Sequence, residues 1–141
     1  MISSALAAVF FGAIGWGITH FVFEPMQKIL DLRREAQECL IYYGNLAKDA
    51  PSDERQEASN AFRRIGTGLT SWHIAGYPWL QWCYVRFGYD IHHGGARLIS
   101  LGNGTQFPGY SLVDLSHNVA DIRRCLKLPT PETPLDGPDP R

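Results

Sequence analysis

AlaLeuAlaAlaValPhePheGlyAlaIleGlyTrpGlyIleThrHisPheValPhe, Ala5 to Phe23, is the stretch whose reading decides the fold, because no Asp, Glu, Lys or Arg interrupts it over 19 positions. At about 1.5 Å per residue such a helix is roughly 28 Å long, close to the hydrocarbon thickness of a bilayer. The expected element is a single transmembrane helix with the remaining chain tethered to one membrane face. A cleaved signal peptide fits less well, since Met1 to Ser4 carries no basic residue and no small-x-small site closes the apolar run. A core helix apolar all round would need more chain than 141 residues to enclose it. A helix lying on the membrane surface would need a charged face.

Flanking charge sets the expected orientation. Lys28, Arg33 and Arg34 follow the apolar run and nothing basic precedes it, so the positive-inside rule places the N-terminus outside and the C-terminal domain in the cytoplasm of an inner (plasma) membrane. Three widely spaced cysteines, Cys39, Cys83 and Cys125, suit reduced thiols rather than a disulfide framework. Within the run Ala8, Gly12 and Gly15 share one face, a small-residue surface on which two membrane helices could pack closely as a homo-oligomer. His20 lies one turn beyond Trp16, where a neutral imidazole reaches the headgroups.

Beyond the anchor, 1–24, the composition leaves one helical domain, 25–128, and a Pro-rich tail, 129–141, with five prolines in 13 residues and an expectation of disorder. A net charge of −1 gives no electrostatic case for nucleic acid as a partner. Glu24-Pro25 is read as a break, with a second helix starting at Pro25 in its own direction. Ile29, Leu32, Ala36, Cys39, Tyr43 and Leu46 then form a seam of heptad period. LysAspAlaProSerAsp, 48–53, reads as a turn. A third helix opens near Ser52 with Asp53 and Glu54 in its first turn, and Ala58, Phe62, Ile65, Leu69 and Trp72 supply the facing seam of an antiparallel hairpin. Gly66 and Gly68 weaken that helix unless close packing requires them.

Tyr77 to Asp90 is the aromatic centre, read as a short helix from Pro78, with a strand as the alternative. Leu80, Cys83, Tyr84 and Phe87 form one face; Trp79, Trp82 and Arg86 form another. The two tryptophans are open to three roles: core, membrane interface or ligand pocket. Ala96 to Leu101 reads as a further short helix between HisHisGlyGly, 92–95, and a stop at GlyAsnGlyThr, 102–105. The last helix is expected from Ser111, capped with Asp114, along Leu112, Leu115, Val119, Ile122 and Leu126 to Leu128-Pro129. The fold class is therefore all-α: one N-terminal transmembrane helix, then a small bundle made of a hairpin, one or two short helices and a final helix.

No motif names a reaction. Gly-x-Ser-x-Gly, a phosphate loop and paired Cys-x-x-Cys ligands are all absent, so neither an enzyme nor a metal or cofactor is expected. Asp114, His117 and Asp121 share a helix face, read as surface charge. Cys83 between Trp82 and Tyr84 reads as a small hydrophobe. Three Arg-Arg pairs flank the seams: Arg33-Arg34, Arg63-Arg64 and Arg123-Arg124. Converging in a bundle or across an oligomer, they could grip the phosphate of a nucleotide or an acidic headgroup; otherwise they are seam-flanking charges satisfied by Glu35, Glu57 and Asp121.

Glu24-Pro25, LeuIleTyrTyrGlyAsn at 40–45, AlaPheArgArgIle at 61–65, IleAlaGlyTyrPro at 74–78 and LeuIleSerLeuGlyAsn at 98–103 together resemble an uncharacterised group of small bacterial proteins. That group has an N-terminal membrane segment, a Glu-Pro break and a helical domain. Here Tyr43-Gly44 stands where the group's pattern has Tyr-Ala. The resemblance implies the architecture and a bacterial setting, with no activity attached. The expected function is a single-pass anchored helical binding protein, self-associating or docked to a protein partner. A ligand-sensing membrane effector and an accessory subunit of a membrane complex are the alternatives.

Overall fold

A computed structural model describes residues 2–44, 46, 50–107 and 115–129. Every regular element among the described residues is helical: α1 (Ile2–Ile18), a single π-turn (Thr19–Phe23), α2 (Glu24–Tyr42), α3 (Ser52–Ala75), α4 (Pro78–Arg86), α5 (Ile91–Thr105) and α6 (Ser116–Leu126). Among these residues no helix is long and apolar enough to cross a membrane; α1 closes after 17 residues.

The expected break at Glu24-Pro25 is not there. Ile18, Phe23 and Glu24 all keep right-handed helical dihedrals, so the helical path is continuous from Ile2 to Tyr42. In a regular α-turn the Pro25 ring would strike the carbonyl of Phe21. The π-turn removes the conflict: the Glu24 N–H donates to the Thr19 carbonyl five residues back, and the wider turn admits the ring without interrupting the helix.

Both expected seams face the core, with Leu32, Cys39 and Trp72 partly buried and the rest fully so. Ile29, Ala36, Tyr43 and Leu46 on the α2 side meet Ala58, Phe62, Ile65 and Leu69 of α3. The pairing is antiparallel, since Leu32 faces Gly68 while Tyr43 stacks edge-on against Phe62 with centroids 5.8 Å apart. The tightest interface is nevertheless between α3 and α5, and it depends on glycine. A Cβ on Gly66 would come within 2.6 Å of the Gly95 carbonyl oxygen, one on Gly95 within 2.7 Å of Thr70 Oγ1, and one on Gly102 within 2.9 Å of the Ser59 carbonyl oxygen. The two backbones touch where only hydrogen fits between them.

Two boundaries are corrected here. The expected helix 96–101 is α5, running from Ile91 to Thr105, so HisHisGlyGly forms its first turn and GlyAsnGlyThr its last rather than flanking it. Asp90 caps it, accepting from the His93 N–H at 3.0 Å. Among the described residues the last helix runs from Ser116, with Leu115 as its cap residue. Ser111, Leu112 and Asp114 lie outside the described residues, as do positions 48 and 49 of the turn and 130–141 of the tail. Within α6, Ile122 and Leu126 are fully buried and Leu126 packs against Gly94. Lys127 ends it in the left-handed region at φ 49°, and the Leu128 N–H returns to the Arg123 carbonyl at 2.9 Å.

Each packed neighbour runs antiparallel to the last, so the bundle has two chemically different ends. At the far end Arg55, buried, donates to the carbonyl oxygens of Thr105 and Phe107 at the close of α5. The near end, adjoining α1, gathers the C-terminus of α3, the whole of α4, the N-terminus of α5 and the C-terminus of α6. His73 meets His92 there with ring centroids 4.8 Å apart, and the Asp90 N–H donates to the Cys125 carbonyl at 2.9 Å.

Candidate functional site

Among the described residues, helix α1 has no extensive packing beyond the π-turn that continues it. Val9 and Phe11 are each 71% exposed, and Phe10, Trp16, Phe21 and Phe23 are exposed as well. Ala8, Gly12 and Gly15 are all bare, with no atom within 4 Å of a Cβ built on either glycine. At the foot of this helix His20 Nδ1 lies 2.7 Å from Glu24 Oε1. His20, Glu24, Pro25 and Lys28 form one wall of a cavity whose other wall is Ser71, Trp72 and Tyr77.

Across the Trp72–Tyr77 wall lies a second cavity of about 480 Å³, roofed by α4. Ile29, Leu80, Tyr84 and Tyr89 give it an apolar, aromatic interior, and His73, His92 and His93 stand at its rim. The rim is built by short-range capping chemistry. His93 Nδ1 lies 2.8 Å from Asp90 Oδ2, and the Gln81 side-chain amide donates to the His73 carbonyl. Tyr89 is held by two cations, with Arg33 5.1 Å and Lys127 5.4 Å from its ring centroid. The Tyr84 hydroxyl is buried without a hydrogen-bond partner, and burial pushes its phenol up to about 12.

The six arginines are engaged separately rather than converging. Arg33 donates through Nε to the Leu126 carbonyl and through its terminal nitrogen to the Lys127 carbonyl at 2.7 Å, so it closes the C-terminus of α6. Arg34 pairs with Glu38 at 3.1 Å one turn along α2. Arg64 reaches across to Glu35, and Arg63 lays its Cγ against Gly102 where α3 and α5 cross. Arg124 pairs with Asp121 at 2.7 Å, while Arg123 is half-buried and lends its carbonyl to the α6 cap. Asp121 also lies 3.4 Å from both Arg97 and His117, so this carboxylate is shared among three cationic or potentially cationic groups.

Trp79 and Trp82 do not enter the core, and neither lines the cavity under α4. Trp82 is 68% exposed; Trp79, 38% exposed, stacks on Tyr77 with centroids 6.3 Å apart. Within the aromatic run the sequence singles out these two tryptophans. The cavity walls are instead Trp72, Tyr77, Tyr84 and Tyr89, which only the near-end gathering of helix termini brings together. Burial raises the thiols of Cys39 and Cys125 above the usual range, away from the thiolate a nucleophile requires. Among the described residues no three His, Cys, Asp or Glu side chains converge as a metal ion would need. Comparison with protein-family models, with curated proteins and with solved structures finds no match for this chain.

Proposed function

We propose that this chain is a single-pass, membrane-anchored helical binding protein of a bacterial inner membrane, with α1 and the π-turn seated in the bilayer and the helical domain held at its cytoplasmic face. The observation that carries the reading is the bareness of α1 from Val9 to Ile18: a helix with its valine, phenylalanines and tryptophan exposed there gains little by folding in water and a great deal by entering hydrocarbon. Helix α1 alone spans about 26 Å, and the uncharged helical path through the π-turn to Phe23 spans about 33 Å. The His20–Glu24 pair and Lys28 then mark the level at which charge begins, where headgroups would meet them.

Self-association belongs to the same proposal. Ala8, Gly12 and Gly15 leave a strip on which a second copy can approach closely. Reconstitution of the full chain into liposomes, followed by flotation and crosslinking, tests both parts. Flotation that survives an alkaline wash, with crosslinked dimers lost on Gly12→Leu, is the expected result. A chain that pellets without the liposomes removes the anchor, and crosslinks unchanged by Gly12→Leu remove the dimer strip.

A further inference from the structure

We infer that α4 is a second membrane contact, an interfacial element whose outer face, led by Trp79 and Trp82, rests in the headgroup layer of the bilayer that holds α1; the inference rests on the anchor reading. Ile74, Trp82, Val85 and Phe87 are exposed around α4, and Tyr77 and Trp79 continue the patch toward α1. The patch is continuous with the anchor, because the Tyr77 ring meets the Phe21 ring edge-on at 6.1 Å and also stacks on Trp79. Its position is fixed by topology: α4 joins the C-terminus of α3 to the N-terminus of α5, and both termini lie at the α1 end of the bundle.

The chemistry favours lipid headgroups over a dry protein interface. Trp and Tyr carry an apolar body and one hydrogen-bonding tip, the combination enriched where hydrocarbon meets water. The charges around the patch agree. Lys28, Arg86 and Lys127 border it, three cations against the two nearby carboxylates of Glu24 and Asp90, which lie 2.7 and 2.8 Å from His20 and His93. A basic border suits an anionic lipid surface.

Tryptophan quenching by brominated phospholipids in anionic vesicles tests this with the full-length chain. Two proteins are compared: one carrying Trp16→Phe and Trp72→Phe, so that Trp79 and Trp82 alone emit, and one retaining only Trp16. The expected result is about twofold quenching of the Trp79/Trp82 protein by bromines placed shallow in the acyl chain, falling off as the bromines move deeper. No quenching at any depth, while the Trp16 protein is quenched in the same vesicles, overturns the inference and leaves the anchor standing. If neither protein is quenched, the anchor reading fails and this inference with it. Blue-shifted but unquenched Trp79/Trp82 emission means that protein covers the patch, a second copy of the chain included, and also overturns it. If Trp72→Phe impairs folding, the same quantity is read by subtraction, from the quenching lost between the native chain and Trp79→Phe/Trp82→Phe.

Discussion

The Phe21 ring, in the π-turn at the end of α1, meets the Tyr77 ring, at the entry to α4, edge-to-face with centroids 6.1 Å apart. This contact ties the projecting apolar helix to the bundle. An aromatic pair of this geometry contributes about 0.5–1.5 kcal/mol beyond its buried area. Tyr77→Ala is accordingly expected to leave the thermal midpoint of the bundle within a few degrees of the parent. It should broaden the distance distribution between spin labels at Phe11 and Tyr42→Cys relative to a label on α3. An unchanged distribution would mean that the π-turn alone sets the angle.

Glycine at the α3–α5 crossing gives a prediction whose sign opposes helix propensity. Alanine in a helix interior gains about 1 kcal/mol over glycine. At Gly66 the new methyl would lie 2.6 Å from the Gly95 carbonyl oxygen, a backbone atom that cannot swing away. Gly66→Ala should therefore destabilise by about 1–3 kcal/mol in urea unfolding. Gly68→Ala meets only the tip of the Leu32 side chain, at 3.2 Å, and should change stability far less. Equal effects at the two sites would show that the crossing is looser than described.

Arg33 and Arg34 are adjacent in sequence and opposite in role. Arg33→Ala removes two charge-assisted hydrogen bonds to the carbonyls that close α6, and is expected to cost about 1.5–3 kcal/mol. Arg33→Lys should recover only part of this, because an ammonium cannot reproduce the two-pronged geometry. Arg34→Ala breaks an exposed pair with Glu38 and should stay within about 0.5 kcal/mol. Chemical denaturation of the three variants checks the ranking.

These seams and ties also show what was legible in the sequence. Period alone located α2, α3 and the buried half of α6, because Ile29, Ala36, Phe62, Leu69 and Ile122 recur at the spacing of one helix face. The continuity through Pro25 was not legible, since local rules assign a proline after a charged residue to a helix start, and only a π-turn one residue earlier allows the helix to continue. The length of α5 was hidden for a related reason. Gly94, Gly95, Gly102 and Gly104 read locally as breakers, yet three of them lie where Leu126, Thr70 or Ser59 approaches too closely for a side chain. The cavity under α4 was legible only as an aromatic-rich run, because its walls come from residues 29 to 93, joined by topology rather than by spacing.

Tyr84 supplies a pH dependence. Burial raises its phenol from the ordinary value near 10 to about 12, so the folded state favours the protonated form. Stability from this source is fully present below about pH 10, and is lost as pH rises through 12. Tyr84→Phe should flatten this alkaline limb. Since the buried hydroxyl has no partner, the same change should leave stability at pH 7 equal or higher. A clear loss at pH 7 would mean the hydroxyl is hydrogen-bonded after all.

The most direct test of the central claim, that α1 lies in hydrocarbon while the bundle stands in water, uses two positions on one continuous helix. Phe11 and Tyr42 are 71% and 78% exposed, so the fold gives both almost the same freedom, and about 46 Å of helical path separates them. Spin labels at each, in the full chain with Cys39, Cys83 and Cys125 replaced by serine and reconstituted in liposomes, report access to oxygen and to a water-soluble nickel complex. High oxygen and low nickel access at Phe11, with the reverse at Tyr42, is the expected result. Nickel access at Phe11 equal to that at Tyr42 would place α1 in water and contradict it.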